Sequence, residues 1–267
     1  MMNGIPENVS ILTLGDCLVV SSDRVTTPPV NFLRIATYIL LEGHGRPVLR
    51  RRIGDLIWSD NSSMRASADV RQSIARIRRF QVEHGFQLLR ADARMAWLNF
   101  QDGLYFDLDE FVKLLANPSP TSWVRMCEVY NGELLASLGA AGELYEEWLS
   151  YRRAALRNHF IISISQAVLP DSPLSAQDRH YCASRLLVID PYHEGAYRAL
   201  MRDAAASGQY RLLRELFAHC VNTLKNDLGV DPEIETIQLY QSLISLNQLS
   251  RAPAAGHGAS VPRQKDR

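Results

Sequence analysis

The chain has 267 residues, 46% of them apolar, with 29 basic and 29 acidic side chains, enough material for one large or two modest cores and incompatible with a disordered tail protein. The zero net charge hides an uneven distribution. Residues 1–100 hold 13 Arg, no Lys and 9 acids, whereas residues 101–247 hold 12 basic and 19 acidic side chains. Residues 46–94 alone carry 11 Arg against 5 acids, a pattern that joins a polyanion-binding unit to an acidic one.

In chain order, residues 1–8 form an expected flexible N-terminus without a basic stretch and apolar core, so no secretory signal is read there. Ile11, Leu12 and Leu14, then Leu18, Val19 and Val20, and then Val25 are separated by Gly15-Asp16 and Ser21-Ser22-Asp23, which predicts a small antiparallel sheet. Pro28-Pro29 ends strand pairing. From Val30 the period becomes helical, with Phe32, Ile35, Ala36, Ile39 and Leu40 on one face until Gly43. A second, shorter helix is expected after Pro47, with Leu49, Ile53, Leu56 and Ile57 facing inward and Arg50, Arg51 and Arg52 at its start.

The third helix, from near Ser67 to about His84 with Gly85 as its terminating glycine, places Val70, Ile74 and Ile77 within about 40° of one another on the helical wheel. Ala75, Arg79, Gln72 and Arg76 fall on the opposite face, and Arg71 and Arg78 flank it. Phe86, Leu88 and Leu89, the turn Arg90 to Arg94, and alternating Met95, Trp97 and Leu98 predict a β-hairpin with arginines beside its tip. Strands, three helices and a terminal hairpin make a winged helix-turn-helix, with Ser67 to Phe80 as recognition helix and Arg90 to Arg94 as wing. In that frame Ser67, Arg71 and Gln72 are candidates for reading base edges. Arg76, Arg78, Arg79 and Arg50 are candidates for phosphate contacts, as are Arg90 and Arg94 at the wing.

From Phe106 onward the chain reads as helical to Leu249, in segments of some 14 residues punctuated by Gly132, Pro170, Asp190-Pro191, Gly208, and Gly229 with Pro232. Ala183, Leu186, Leu187, Asp190-Pro191, Ala196-Tyr197 and Gly208-Gln209-Tyr210 resemble one degenerate tetratricopeptide (TPR) unit. Trp123, Tyr130, Trp148, Tyr151, Tyr197 and Tyr240 are expected in its core. The predicted fold is an α+β winged helix-turn-helix (residues 9–105) followed by an all-α, TPR-like helical-repeat domain (residues 106–249) and a disordered basic tail (residues 250–267).

Cys17, Cys127, Cys182 and Cys220 lie too far apart for a metal knuckle, and thiols in a reducing cytoplasm are the expectation. His180 with Cys182, and His219-Cys220, lack the paired spacing of a zinc site. No nucleophile elbow, His-Glu-x-x-His or phosphate loop occurs, so no metal, cofactor or enzyme activity is expected. The longest apolar runs fall short of a membrane span.

Several blocks together resemble the bacterial transcriptional activator domain family, the SARP-type regulators that join an OmpR-type winged helix to a TPR-like activation domain. They are Leu12-Thr13-Leu14-Gly15, Leu56-Ile57-Trp58-Ser59-Asp60, Ile74-Ala75-Arg76-Ile77-Arg78-Arg79, Asp107 with Phe111, Tyr130-Asn131-Gly132-Glu133-Leu134-Leu135, and Glu147-Trp148 to Arg152. The most specific block is Asp190-Pro191-Tyr192-His193-Glu194-Gly195-Ala196-Tyr197-Arg198-Ala199-Leu200-Met201, followed by Gly208, Leu228-Gly229-Val230-Asp231-Pro232 and Leu239-Tyr240. The wing departs from the family pattern, with Met95-Ala96-Trp97-Leu98 where a glycine and tyrosine are usual. The resemblance implies an activator that binds repeats in double-stranded promoter DNA and recruits RNA polymerase; a cytoplasmic setting is expected, a homodimer on the DNA is one arrangement it allows, and the residues leave the oligomeric state open. The alternative from the residues alone is a helical-repeat interaction or sensor protein whose N-terminal domain docks protein or RNA.

Overall fold

The computed structural model describes residues 9–21 and 24–251, with the side chains of 247–251 left aside; the expected N-terminal arm and basic tail lie outside the described residues. The chain divides into two compact units, residues 1–191 and 192–267.

The first unit opens with strands β1 (Val9–Leu12), β2 (Leu18–Ser21) and β3 (Arg24–Thr26). Alternation puts Val9 and Ile11 in the core, and the antiparallel register sets Ile11 opposite Val19. A fourth strand, β7 (Leu104–Phe106), pairs parallel to β1, giving the order β3-β2-β1-β7. Sequence patterning does not anticipate it, because three residues beside a helix start carry no strand signal of their own.

Helix α1 (Val30–Gly43) starts directly after Pro29, and α2 (Arg50–Ile57) follows a two-residue strand, β4 (Val48–Leu49). Leu49 is therefore on a strand and 47% exposed, not on the inner face of α2 as its spacing from Ile53 suggests. Helix α3 (Ser63–Glu83) begins one turn before Ser67, and Ala66, Val70, Ile74, Ile77 and Phe80 are buried along it. Phe80 and Phe86 close around Phe32 of α1 at ring-centroid distances of 6.2 and 5.9 Å. Gly85, at φ +72°, takes the left-handed turn that ends α3, as the sequence predicts.

The hairpin β5 (Leu89–Ala91) and β6 (Met95–Leu98) joins β4 in the order β4-β6-β5, with Arg90 opposite Trp97. This N-terminal part is a winged helix-turn-helix, and the described chain from Asp107 onward is helical.

Within the same unit, α4 (Asp107–Ala116) begins at a buried carboxylate. Asp107 accepts from the Thr13 amide (2.6 Å), the Thr13 hydroxyl (2.7 Å), the Leu14 amide (2.8 Å) and the Leu108 amide (2.7 Å), while burial pushes its carboxyl up. Helix α5 (Pro120–Val129) is opened by a reciprocal Ser119–Ser122 cap with Pro at its first position. Helices α6 (Glu143–Ala167) and α7 (Ala176–Ile189) complete the unit. Tyr130 packs at 5.1 Å from Phe111 and 4.9 Å from Phe160, and Arg185 donates to the carbonyls of Cys127 (3.1 Å) and Tyr130 (2.7 Å). Tyr151, expected in the core, is 68% exposed on α6.

A continuous seam ties α1 and α2 to α6. Arg34 donates to the carbonyls of Gly139 and Ala140, Trp148 and Arg152 both donate to Glu42, and the Gly142 amide donates to Ile57 O at 3.1 Å.

The second unit contains α8 (Glu194–Ala206), α9 (Tyr210–Leu228) and α10 (Ile234–Arg251). Tyr197, Leu200, Leu213, Cys220 and Leu224 are buried between them, and the Tyr197 hydroxyl meets His219 Nδ1 at 2.8 Å. Arg198 bonds Glu233 (2.6 Å) and Thr236 (2.8 Å), and Phe217 stacks on Tyr240 at 4.0 Å.

Candidate nucleic-acid interface

Helix α3 is buried on one side and basic on the other. Ser67, Arg71, Gln72, Arg76, Arg78 and Arg79 are all exposed, with Ala68 and Ala75 between them, while Val70, Ile74 and Ile77 anchor the opposite side. The small alanines keep the helix surface low between long polar side chains, which suits entry of a helix into a groove about 12 Å wide. The Ser67 hydroxyl donates to Ser63 O at 2.8 Å, so what remains to it is acceptor capacity.

The wing is braced from both sides. Arg50, at the start of α2, donates its backbone N–H to Arg94 O (2.8 Å) and its guanidinium to Asp92 O (2.7 Å). Arg50 thus spends part of its hydrogen-bonding capacity on holding the hairpin, a role that its charge alone did not suggest. Arg78 reaches from α3 to Ala91 O at 3.4 Å. Between them the Gln81 amide pairs with the backbone of Leu89, donating to its carbonyl (2.9 Å) and accepting from its N–H (2.8 Å).

At the tip, Asp92 Oδ1 accepts from the amides of Arg94 (2.8 Å) and Met95 (2.7 Å). These bonds, the one from Met95 first, hold its carboxyl below the usual range. Arg94 is exposed at that tip. Arg90 is exposed on β5, where it donates to Gln87 at 3.0 Å.

The structure therefore brings Ser67, Arg71, Arg50 and Arg94 around one cleft of about 480 Å³. Arg78 and Arg90 line a second, of about 290 Å³, between the C-terminal half of α3 and β5. Gln72, Arg76 and Arg79 line neither cleft and stand on the exposed face of α3.

Two further arginines escape the sequence reading of the site. Arg65 is exposed on the added first turn of α3, about 20° from Gln72 on the wheel, and an earlier helix start would have found it. Arg51 lines the larger cleft while facing Asp55 at 3.6 Å.

Among the described residues no cluster of His, Cys, Asp and Glu could hold a metal ion, and no helix is long and apolar enough to cross a membrane.

The family model described as the bacterial transcriptional activator domain matches residues 125–244, from within α5 to within α10. No curated protein matches the sequence. Among solved structures, the chain is similar to Mycobacterium tuberculosis EmbR in complex with a low-affinity phosphopeptide, with a TM-score of 0.55 at 17% identity. That match covers 90% of this chain and 65% of the EmbR chain, so this chain spans just under two thirds of that structure and shares its fold.

Proposed function

We propose a sequence-specific, DNA-binding activator of transcription, starting from the match of residues 125–244 to the family model of the bacterial transcriptional activator domain. The observation that carries the reading is the solvent face of α3, where five arginines and Gln72 stand out from a helix whose other side is anchored in the core.

On this reading α3 enters the major groove. Gln72 and Arg71 meet base edges, and Ser67 offers an acceptor to a base amine. Arg76, Arg78 and Arg79 neutralise phosphates on either wall of the groove, releasing counterions. Arg94, carried on a tip that Arg50 holds in place, reaches the backbone or minor groove beside it. The domain boundaries at 9–105 and 106–249 belong to this proposal, as do a cytoplasmic setting, a homodimer on promoter repeats and contact of the helical part with RNA polymerase.

Genome-wide immunoprecipitation of the tagged protein, with Arg76→Ala as control, tests the reading. Discrete promoter peaks that vanish in the variant are expected. In vitro, duplex affinity should fall steeply with salt, and the Arg76→Ala/Arg79→Ala pair should flatten the log–log salt slope by about two. Absence of any variant-sensitive enrichment, with a partner retained at high salt by the helical part, would overturn it in favour of a domain that docks protein or RNA.

A further inference from the structure

The cleft between the start of α2, the N-terminal half of α3 and the wing tip has more than a phosphate strand requires. Its rim carries Arg50, Arg51, Arg71 and Arg94, and no acid is among its lining residues. Its wall is aliphatic. Leu49 stands 47% exposed on β4 and Ala93 is exposed on the tip, with Val70, 2% exposed, at the cleft floor beneath them.

A bare phosphate is held by cations and N–H donors and gains nothing from exposed leucine. The volume, about 480 Å³, falls in the range of pockets that take small molecules, which combine apolar lining with a few convergent polar groups. Guanidinium groups suit such a pocket twice over, because they bind carboxylates in plane and stack on aromatic faces. Arg50 is fixed as a wall by its bond to Asp92 O, whereas among the described residues the guanidinium groups of Arg71 and Arg94 form no salt bridge, the Arg94 charge only helping to hold the nearby Asp92 carboxyl down.

We propose that this cleft binds a small planar aromatic acid, its ring against Leu49 and its acid group on Arg71 and Arg94. Through the DNA reading above, on which this second part rests, occupancy withdraws both arginines from duplex DNA, so that the ligand and DNA exclude one another. The cleft then acts as an effector site built into the DNA-binding face, and the ligand releases the protein from DNA.

The test uses the full chain with 2-naphthoate as probe, observed by saturation-transfer NMR, and a duplex as competitor. Naphthyl signals are expected. Leu49→Glu, which sets a carboxylate against the ring and the acid, and Arg71→Ala, which removes one charge-assisted contact, should each weaken binding about tenfold. Arg76→Ala and Arg79→Ala, which lie outside the cleft, should leave probe binding unchanged while they weaken DNA. Added duplex should quench the naphthyl signals. Both cleft positions are exposed, and circular dichroism confirms folding of each variant. Probe binding that is absent, or indifferent to Leu49→Glu and Arg71→Ala, overturns the site even if DNA still binds. Cleft-dependent probe binding in a chain that binds no duplex upholds the site and overturns the DNA reading instead.

Discussion

The side-chain amide of Gln81 stands in for a missing strand beside Leu89. It supplies one donor and one acceptor, at 2.9 and 2.8 Å, to the open edge of the wing. An edge strand with free backbone groups invites pairing with other chains. Here α3 itself closes that edge, so the third helix and the wing share a rigid joint. Gln81 is 2% exposed, and Gln81→Leu would leave two buried backbone groups unpaired. A loss of about 2–4 kcal/mol is expected from chemical denaturation.

The wing tip should yield to a smaller change. Asp92 is exposed, and its carboxylate orders the Arg94 and Met95 amides without contributing to the core. Asp92→Ala should abolish hydrogen-exchange protection at those two amides while the melting temperature stays within about 1 °C, as surface changes usually do.

Acid should open the α1–α6 seam. Burial alone would raise the Glu42 carboxyl, but hydrogen bonds from Trp148 and Arg152 and the Arg152 charge hold it below its usual value. A depressed folded pKa means that the contribution to stability is present above about pH 4.3, the unfolded value, and is lost as pH falls through the folded one. The wild type should therefore lose more melting temperature between about pH 5 and pH 2.5 than Glu42→Gln does, as a pH series of melting curves will read.

A methyl group at residue 142 should force the same seam apart. A Cβ there would sit 2.6 Å from Ser59 Oγ, 2.9 Å from Ser59 N and 3.0 Å from Ile57 O, the last two being backbone atoms that cannot step aside. Gly142→Ala should cost about 1–3 kcal/mol in denaturant unfolding, the usual range for overpacking.

Base reading and phosphate binding should separate by residue. Gln72→Ala should relax preference at one base pair, by about 1–3 kcal/mol, whereas Arg79→Ala should weaken all sequences alike. Competition among randomised duplexes measures both.

Much of this architecture is legible locally. The 3.6-residue period of Val70, Ile74 and Ile77, the helix-ending Gly85 and the breaks at Gly208 and Gly229 act within a few residues of themselves. What escapes is decided by distant partners. Nothing near Leu104 announces that it will lie beside Val9. A buried glutamine looks anomalous until the backbone of Leu89 is set against it. Leu49 reads as a helix position because the spacing to Ile53 is right, yet pairing with Met95 draws it into a strand. Tyr151 reads as core because aromatics usually are, and only the packing of α6 shows it outside. Charge points to the arginines of the candidate interface, but charge does not tell that Arg50 braces the wing.

The α2–α6 junction also bears on how the molecule can be taken apart. The first turn of α6 is closed by groups that precede α3: Ile57 O, the Ser59 hydroxyl at 3.3 Å from the Leu144 amide, and Asp60 at 3.3 Å from the Glu143 amide. Cutting the chain after residue 105 would strip these groups, Glu42, Arg34 and the Thr13 loop of their partners at one stroke. The winged helix-turn-helix is thus no detachable cartridge. Its chassis includes the start of the helical half, and any exchange of the winged helix-turn-helix with that of another chain has to carry that seam along.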